Sequence, residues 1–92
     1  MAGSLNKDAS DAFDSVERTL EELIAHQEQK VLAFARRLRP GLTNDDIKNP
    51  HDYDELVDPD YNYEDGQLAG LQFALSAIRR RKKDLEAAEP AR

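Results

Sequence analysis

The chain has 92 residues, of which 39% are hydrophobic, 7% aromatic and 35% charged. It has no cysteine, which excludes disulfides, thiolate zinc centres, iron–sulfur clusters and thiol nucleophiles. With 19 acidic against 13 basic residues the formal net charge is −6, which argues against binding to nucleic acid or anionic lipid driven by overall charge. A domain this small hides only about 60–65% of its unfolded surface, so its stability must come from helix packing or from a partner. No apolar run approaches the roughly 20 residues needed to cross a bilayer. The start Met1–Leu5 has neither a positive charge cluster nor an apolar stretch of signal-peptide type. A soluble cytoplasmic protein is therefore expected, with residues 1–7 as a flexible N-terminus.

From Asp8 to Arg39 there is no proline or glycine. Apolar residues at Phe13, Val16, Leu20, Leu23, Ile24, Val31, Phe34 and Leu38 recur at spacings of three and four, which predicts an amphipathic helix over 8–39. At 1.5 Å per residue such a helix is about 45 Å long, and a rod of that length is stable only beside another. Asp8 or Ser10 is the expected N-cap, and Arg36, Arg37 and Arg39 suit the negative end of the helix dipole. Pro40-Gly41 stops the helix. Gln27 falls on the inward stripe, where a polar residue sets register or partner number at some cost in stability.

Residues 40–62 form a connection of different composition. It contains Pro40, Pro50 and Pro59, has Lys48 as its one basic residue, and gathers all 3 tyrosines in or just after it. A connection this long inside a small domain is either functional or disordered. Order is expected, because Tyr53, Leu56, Val57, Tyr61 and Tyr63 supply apolar surface that a disordered linker lacks. Thr43-Asn44-Asp45-Asp46 has the pattern of a cap opening a short helical turn with Ile47 inward, and Asn49-Pro50-His51-Asp52 reads as a turn.

A second helix is predicted over 63–88, capped by Asn62 and ended by Pro90, with 90–92 as a tail. Leu68, Leu71, Leu75, Ile78 and Leu85 mark one face, broken by Lys82. Gly66, Gly70, Ala74 and Ala77 run alongside. Glycine inside a helix costs about 1 kcal/mol relative to alanine, and close approach of another backbone is the simplest reason to keep two.

Together these elements predict an all-α fold: a long antiparallel helical hairpin in a single domain over 8–89, with an extended ordered connection. Helix 2 is apolar over most of its circumference between Leu68 and Ile78. One neighbour cannot cover it, so pairing into a homodimeric, coiled-coil-like four-helix bundle is expected, with a different protein completing the bundle as the alternative. The packing residues would be Gly66, Gly70, Leu71, Phe73, Ala74, Leu75 and Ile78. The antiparallel arrangement also sets the acids Asp8, Asp11, Asp14, Glu17, Glu21 and Glu22 beside the cations Arg79–Lys83.

The chemistry-bearing motifs each have a plainer structural reading. Arg79–Lys83 offers a basic run for nucleic acid, but five consecutive cations spread around a helix, and no aromatic residue for base stacking lies nearby. Asp58-Pro-Asp60-Tyr-Asn62-Tyr-Glu64 begins like a calcium loop, yet Tyr63 stands where the sharp-turn glycine belongs and Ala69 where the bidentate glutamate belongs. Glu22 and His26 lack the Glu-x-x-His spacing of di-iron sites. His51 beside Asp52 could do acid–base work, but no nucleophile accompanies it. No metal, cofactor or catalytic residue is therefore assigned. The expected function is a non-enzymatic protein–protein interaction, adaptor or regulatory module. Its partner surface is placed at His51, Asp52, Tyr53, Tyr61, Tyr63, Glu64 and Asp65, within an acidic 43–65 segment suited to a basic protein. The alternatives are a small acid–base or metal-assisted enzyme using 49–65, and nucleic-acid binding through 79–83.

Overall fold

A computed structural model describes residues 5–88; the expected tail at 90–92 lies outside them. Two helices, α1 (Lys7–Leu38) and α2 (Pro59–Ala87), lie against each other as a hairpin, and three short 3-10 turns, Asp46–Lys48, Pro50–Asp52 and Asp54–Leu56, fill the connection. The molecule measures 58 × 20 × 20 Å, so almost every residue lies near the surface and the buried core is small. No described helix is long and apolar enough to cross a membrane.

Both helices start earlier than their sequences suggested, for the same physical reason. A short polar side chain in extended backbone satisfies an orphan amide one turn on. In α1 this is Asn6, whose Oδ1 accepts from the Ala9 amide at 2.8 Å, and not Asp8 or Ser10. In α2 it is Asp58, whose Oδ1 accepts from the Tyr61 amide at 2.9 Å, and not Asn62. Pro59 then occupies the first helical turn, where its missing N–H costs nothing and its fixed φ is already helical. The connection is shorter than 40–62 by this extra turn of helix.

α1 ends as expected at Pro40-Gly41. Gly41 has φ +89°, a left-handed conformation that admits glycine and strains other residues. The reversed chain is pinned by the Arg36 Nε, which donates to the Leu42 carbonyl at 2.7 Å. Thr43 and Asp46 then cap one another: the Thr43 amide donates to Asp46 Oδ2 at 2.9 Å, and the Asp46 amide donates to Thr43 Oγ1 at 3.2 Å.

The core sits at this closed end. Val31, Ala35, Leu42, Leu56 and Tyr61 are buried together, with Phe34, Leu38, Ile47, Tyr53 and Leu68 packed around them. Both helices and the connection contribute, which makes the connection a folded cap over the end of the hairpin. Phe34 and Tyr61 meet edge to face, with ring centroids 6.1 Å apart. Away from the cap, Leu32 and Leu75 are the only buried hydrophobics among the described residues. Along the arms Phe13, Leu20, Ile24, Leu71, Ile78 and Leu85 are half-buried, and ion pairs join the two helices beside them. Arg79 contacts Glu17 at 3.2 Å and Glu21 at 2.8 Å, and Lys82 contacts Asp14 at 2.9 Å. This explains the lysine interrupting the Leu/Ile face of α2: its stem lies in the seam while its ammonium reaches the acids of α1.

Gln27 is the one buried polar residue of the described chain. Its Nε2 donates to the Glu64 backbone carbonyl at 2.8 Å and to Glu64 Oε1 at 2.9 Å. It fixes the register of α1 against α2 inside one hairpin, so its amide is satisfied without any partner chain.

Candidate functional site

The cap divides the acidic segment into an interior and an exterior. Tyr61, at 0% exposed, lies wholly inside, so its ring belongs to the core and presents no surface. Burial pushes its phenol pKa up, helped by the nearby Asp65 carboxylate. Among the described residues its hydroxyl has no hydrogen-bond partner. Tyr53 is half-buried. Its Oη donates to Asp46 Oδ1 at 3.1 Å, which raises the phenol, and the Arg39 guanidinium lies 4.8 Å above its ring. The Thr43 amide, the Thr43 hydroxyl and the Tyr53 hydroxyl all donate to Asp46 and hold its carboxyl below the usual range. Of the tyrosines expected at a partner surface, Tyr63 alone faces outward, at 63% exposed, its Oη accepting from Gln67 at 2.7 Å.

His51 and Asp52 are exposed on the second 3-10 turn. Glu64 turns toward α1, where the Gln27 amide and then Lys30 at 3.2 Å lower its pKa. Asp58 is used as a helix cap, and no group of three or more His, Asp or Glu side chains able to hold a metal occurs among the described residues.

Asp65 is different. Burial raises its carboxyl pKa, and among the described residues it makes no ion pair. It lines a cleft of about 410 Å³ at the junction of all three parts of the molecule. α1 contributes Glu28 and Gln29, the connection contributes Asn44, Ile47, Lys48 and Pro50, and α2 contributes Asp65, Leu68 and Gln72. The cleft brings together two carboxylates, the Lys48 ammonium, three side-chain amides and the apolar Ile47, Pro50 and Leu68. His51, Asp52 and the tyrosines do not line it. Comparison with protein-family models, curated proteins and solved structures gives no match.

Of the residues lining the cleft, Asp65 alone is among those the sequence pointed to as a partner surface; Glu28, Gln29, Asn44, Lys48 and Gln72 are not. Asp65, Leu68 and Gln72 do share a helical face at steps of three and four. The connection's contribution had no comparable signal, since it depends on the path of the chain through three irregular turns.

The expected packing residues also separate. Leu75 is buried toward α1, and Leu71, Ala74 and Ile78 are half-buried. Gly66, Gly70 and Phe73 lie on the outside, with Phe73 76% exposed. A Cβ placed on Gly66 or Gly70 would meet nothing within 4 Å among the described residues beyond its own stretch of helix, so the approaching backbone expected there is not that of α1. Of the basic run, Arg79 and Lys82 are spent on α1, while Arg80, Arg81 and Lys83 make no ion pair among the described residues.

Proposed function

We propose that this protein is a non-enzymatic helical-hairpin interaction module, an adaptor or regulator whose assembled form is a four-helix bundle. The observation that carries this reading is the apolar surface the fold leaves in solvent. Val16, Leu23, Val57, Tyr63 and Phe73 are exposed, while the buried hydrophobic core consists of Val31, Leu32, Ala35, Leu42, Leu56, Tyr61 and Leu75. A chain with so small a core gains much by covering that surface with another protein. The cleft at Asp65 supports a basic segment as one ligand, a lysine or arginine stem lying on Leu68 and its charged end reaching Asp65 and Glu28.

The test is affinity capture from the native source with wild-type protein, Asp65→Lys and Phe73→Glu in parallel, read by mass spectrometry. The module reading expects proteins retained by the wild type and lost from one or both variants. Identical retention by all three forms would overturn it.

A further inference from the structure

We propose that the outer face of α2 is a self-pairing surface on which a second copy of this chain docks, α2 against α2 and antiparallel. This rests on the interaction-module reading and names one partner for it.

Tyr63, Gly66, Gly70, Phe73 and Ala77 follow one another at steps of three, four, three and four, forming a single stripe. The residues that face α1, including Leu75 and Lys82, lie on the other side of the helix. The stripe thus carries two aromatic rings in solvent and two glycines with open space above them. Glycines there weaken the isolated helix, and nothing in the hairpin needs them. A second helix laid on the stripe would need them, because they let it approach closely enough for Phe73 to pack.

Charge identifies the occupant. The C-terminal half of α2 carries Arg80, Arg81 and Lys83, and its N-terminal turn carries Asp60; none of the four makes an ion pair among the described residues. α2 thus has Asp60 flanking the N-terminal end of the stripe and Arg80 and Arg81 flanking its C-terminal end, with Asp84, also without an ion pair among the described residues, on the stripe itself. That pattern is complementary to itself reversed. With Phe73 set opposite Gly70 of the second copy, Gly66 falls opposite Ala77, and the same contacts repeat through the two-fold axis. Arg81 of the second copy then lies on the same side of the seam as Asp60 and within one helical turn of it. Asp84, on the stripe's far end, meets the positive N-terminus of the opposing helix near Pro59. A parallel pairing would set the cations of both copies side by side and leave both acidic ends together.

The experiment compares wild type, a base-reversed chain (Arg80→Glu with Arg81→Glu) and an acid-reversed chain (Asp60→Lys) by light scattering, alone and mixed. Circular dichroism checks that helix content is retained. The wild type is expected to be a dimer. Each variant alone sets like charges against each other at both ends and should shift at least tenfold toward monomer. Their equimolar mixture restores opposite charges at both ends and should give a heterodimer. Phe73→Asp should be monomeric in every combination. A monomeric wild type, or charge variants that stay as dimeric as the wild type, would overturn the proposal. The second result, a dimer through some other face, would leave the interaction-module reading standing.

Discussion

Tyr61→Phe should make this protein more stable. The ring is fully buried and packs edge to face on Phe34, and phenylalanine keeps that contact. What the substitution removes is a hydroxyl buried without a hydrogen-bond partner. A buried polar group left unsatisfied costs about 1–3 kcal/mol. The void left by one oxygen is smaller than a water molecule, and at about 24 cal/mol per Å³ it returns only a few tenths of a kcal/mol. The net gain should be about 1–2 kcal/mol. For a domain of this size each kcal/mol moves the melting temperature by roughly 4–8 °C. Urea and thermal unfolding followed by circular dichroism measure it directly. A loss of 1 kcal/mol or more would show that the hydroxyl is hydrogen-bonded in solution and refute the reasoning. Tyr61→Ala serves as the contrast, with an expected loss of about 3–5 kcal/mol from the emptied core.

Four further outcomes follow from other parts of the structure. Gly70→Ala, measured at concentrations low enough to keep the chain monomeric, should stabilise by about 0.8–1 kcal/mol from helix propensity alone, since the added methyl meets nothing. Gln27→Ala should cost about 1–2 kcal/mol in the same unfolding assay, because it leaves the Glu64 carbonyl without the inter-helix amide. In a pH series, Asp14, Asp46 and Glu64 have pKa values lowered in the fold by hydrogen bonds from Lys82, Thr43 and Gln27. The stability they lend is present above the unfolded carboxylate range and disappears as pH falls from about 5 through their folded values. Asp65 has the opposite sign: its pKa is raised by burial, so its penalty is present at neutral pH and vanishes on acidification. Asp65→Asn should therefore raise the melting temperature at pH 7 and flatten that gain at low pH; an unchanged difference across the range would contradict the assignment.

The hairpin was legible in the sequence because its signals are periodic. Phe13 through Leu38 and Leu68 through Leu85 mark the two helices, and the placement of acids in α1 against Arg79 and Lys82 gave their orientation. The starts of the helices were less legible. Asn6 and Asp58 compete as caps with nearby Asp8, Ser10 and Asn62, and backbone geometry decides among residues of equal propensity. The tyrosines were harder still. Composition placed Tyr53, Tyr61 and Tyr63 together, but one is in the core, one is half-buried on Asp46 and one is in solvent, a division set by the angles of three short turns. The cleft at Asp65 has no linear signature, because Glu28, Asn44 and Gln72 meet only once the cap has folded.

The exposed stripe on α2 is where these threads join. A small core, two unneeded glycines, two solvent-facing rings and an unpaired charge pattern all become ordinary features of the molecule if another helix lies there. Sedimentation equilibrium of the unmodified protein over a concentration series tests this most directly. Self-pairing through this stripe predicts a mass rising from the 10.4 kDa of one chain to twice that value and no further. A mass that stays at 10.4 kDa across the series would contradict it.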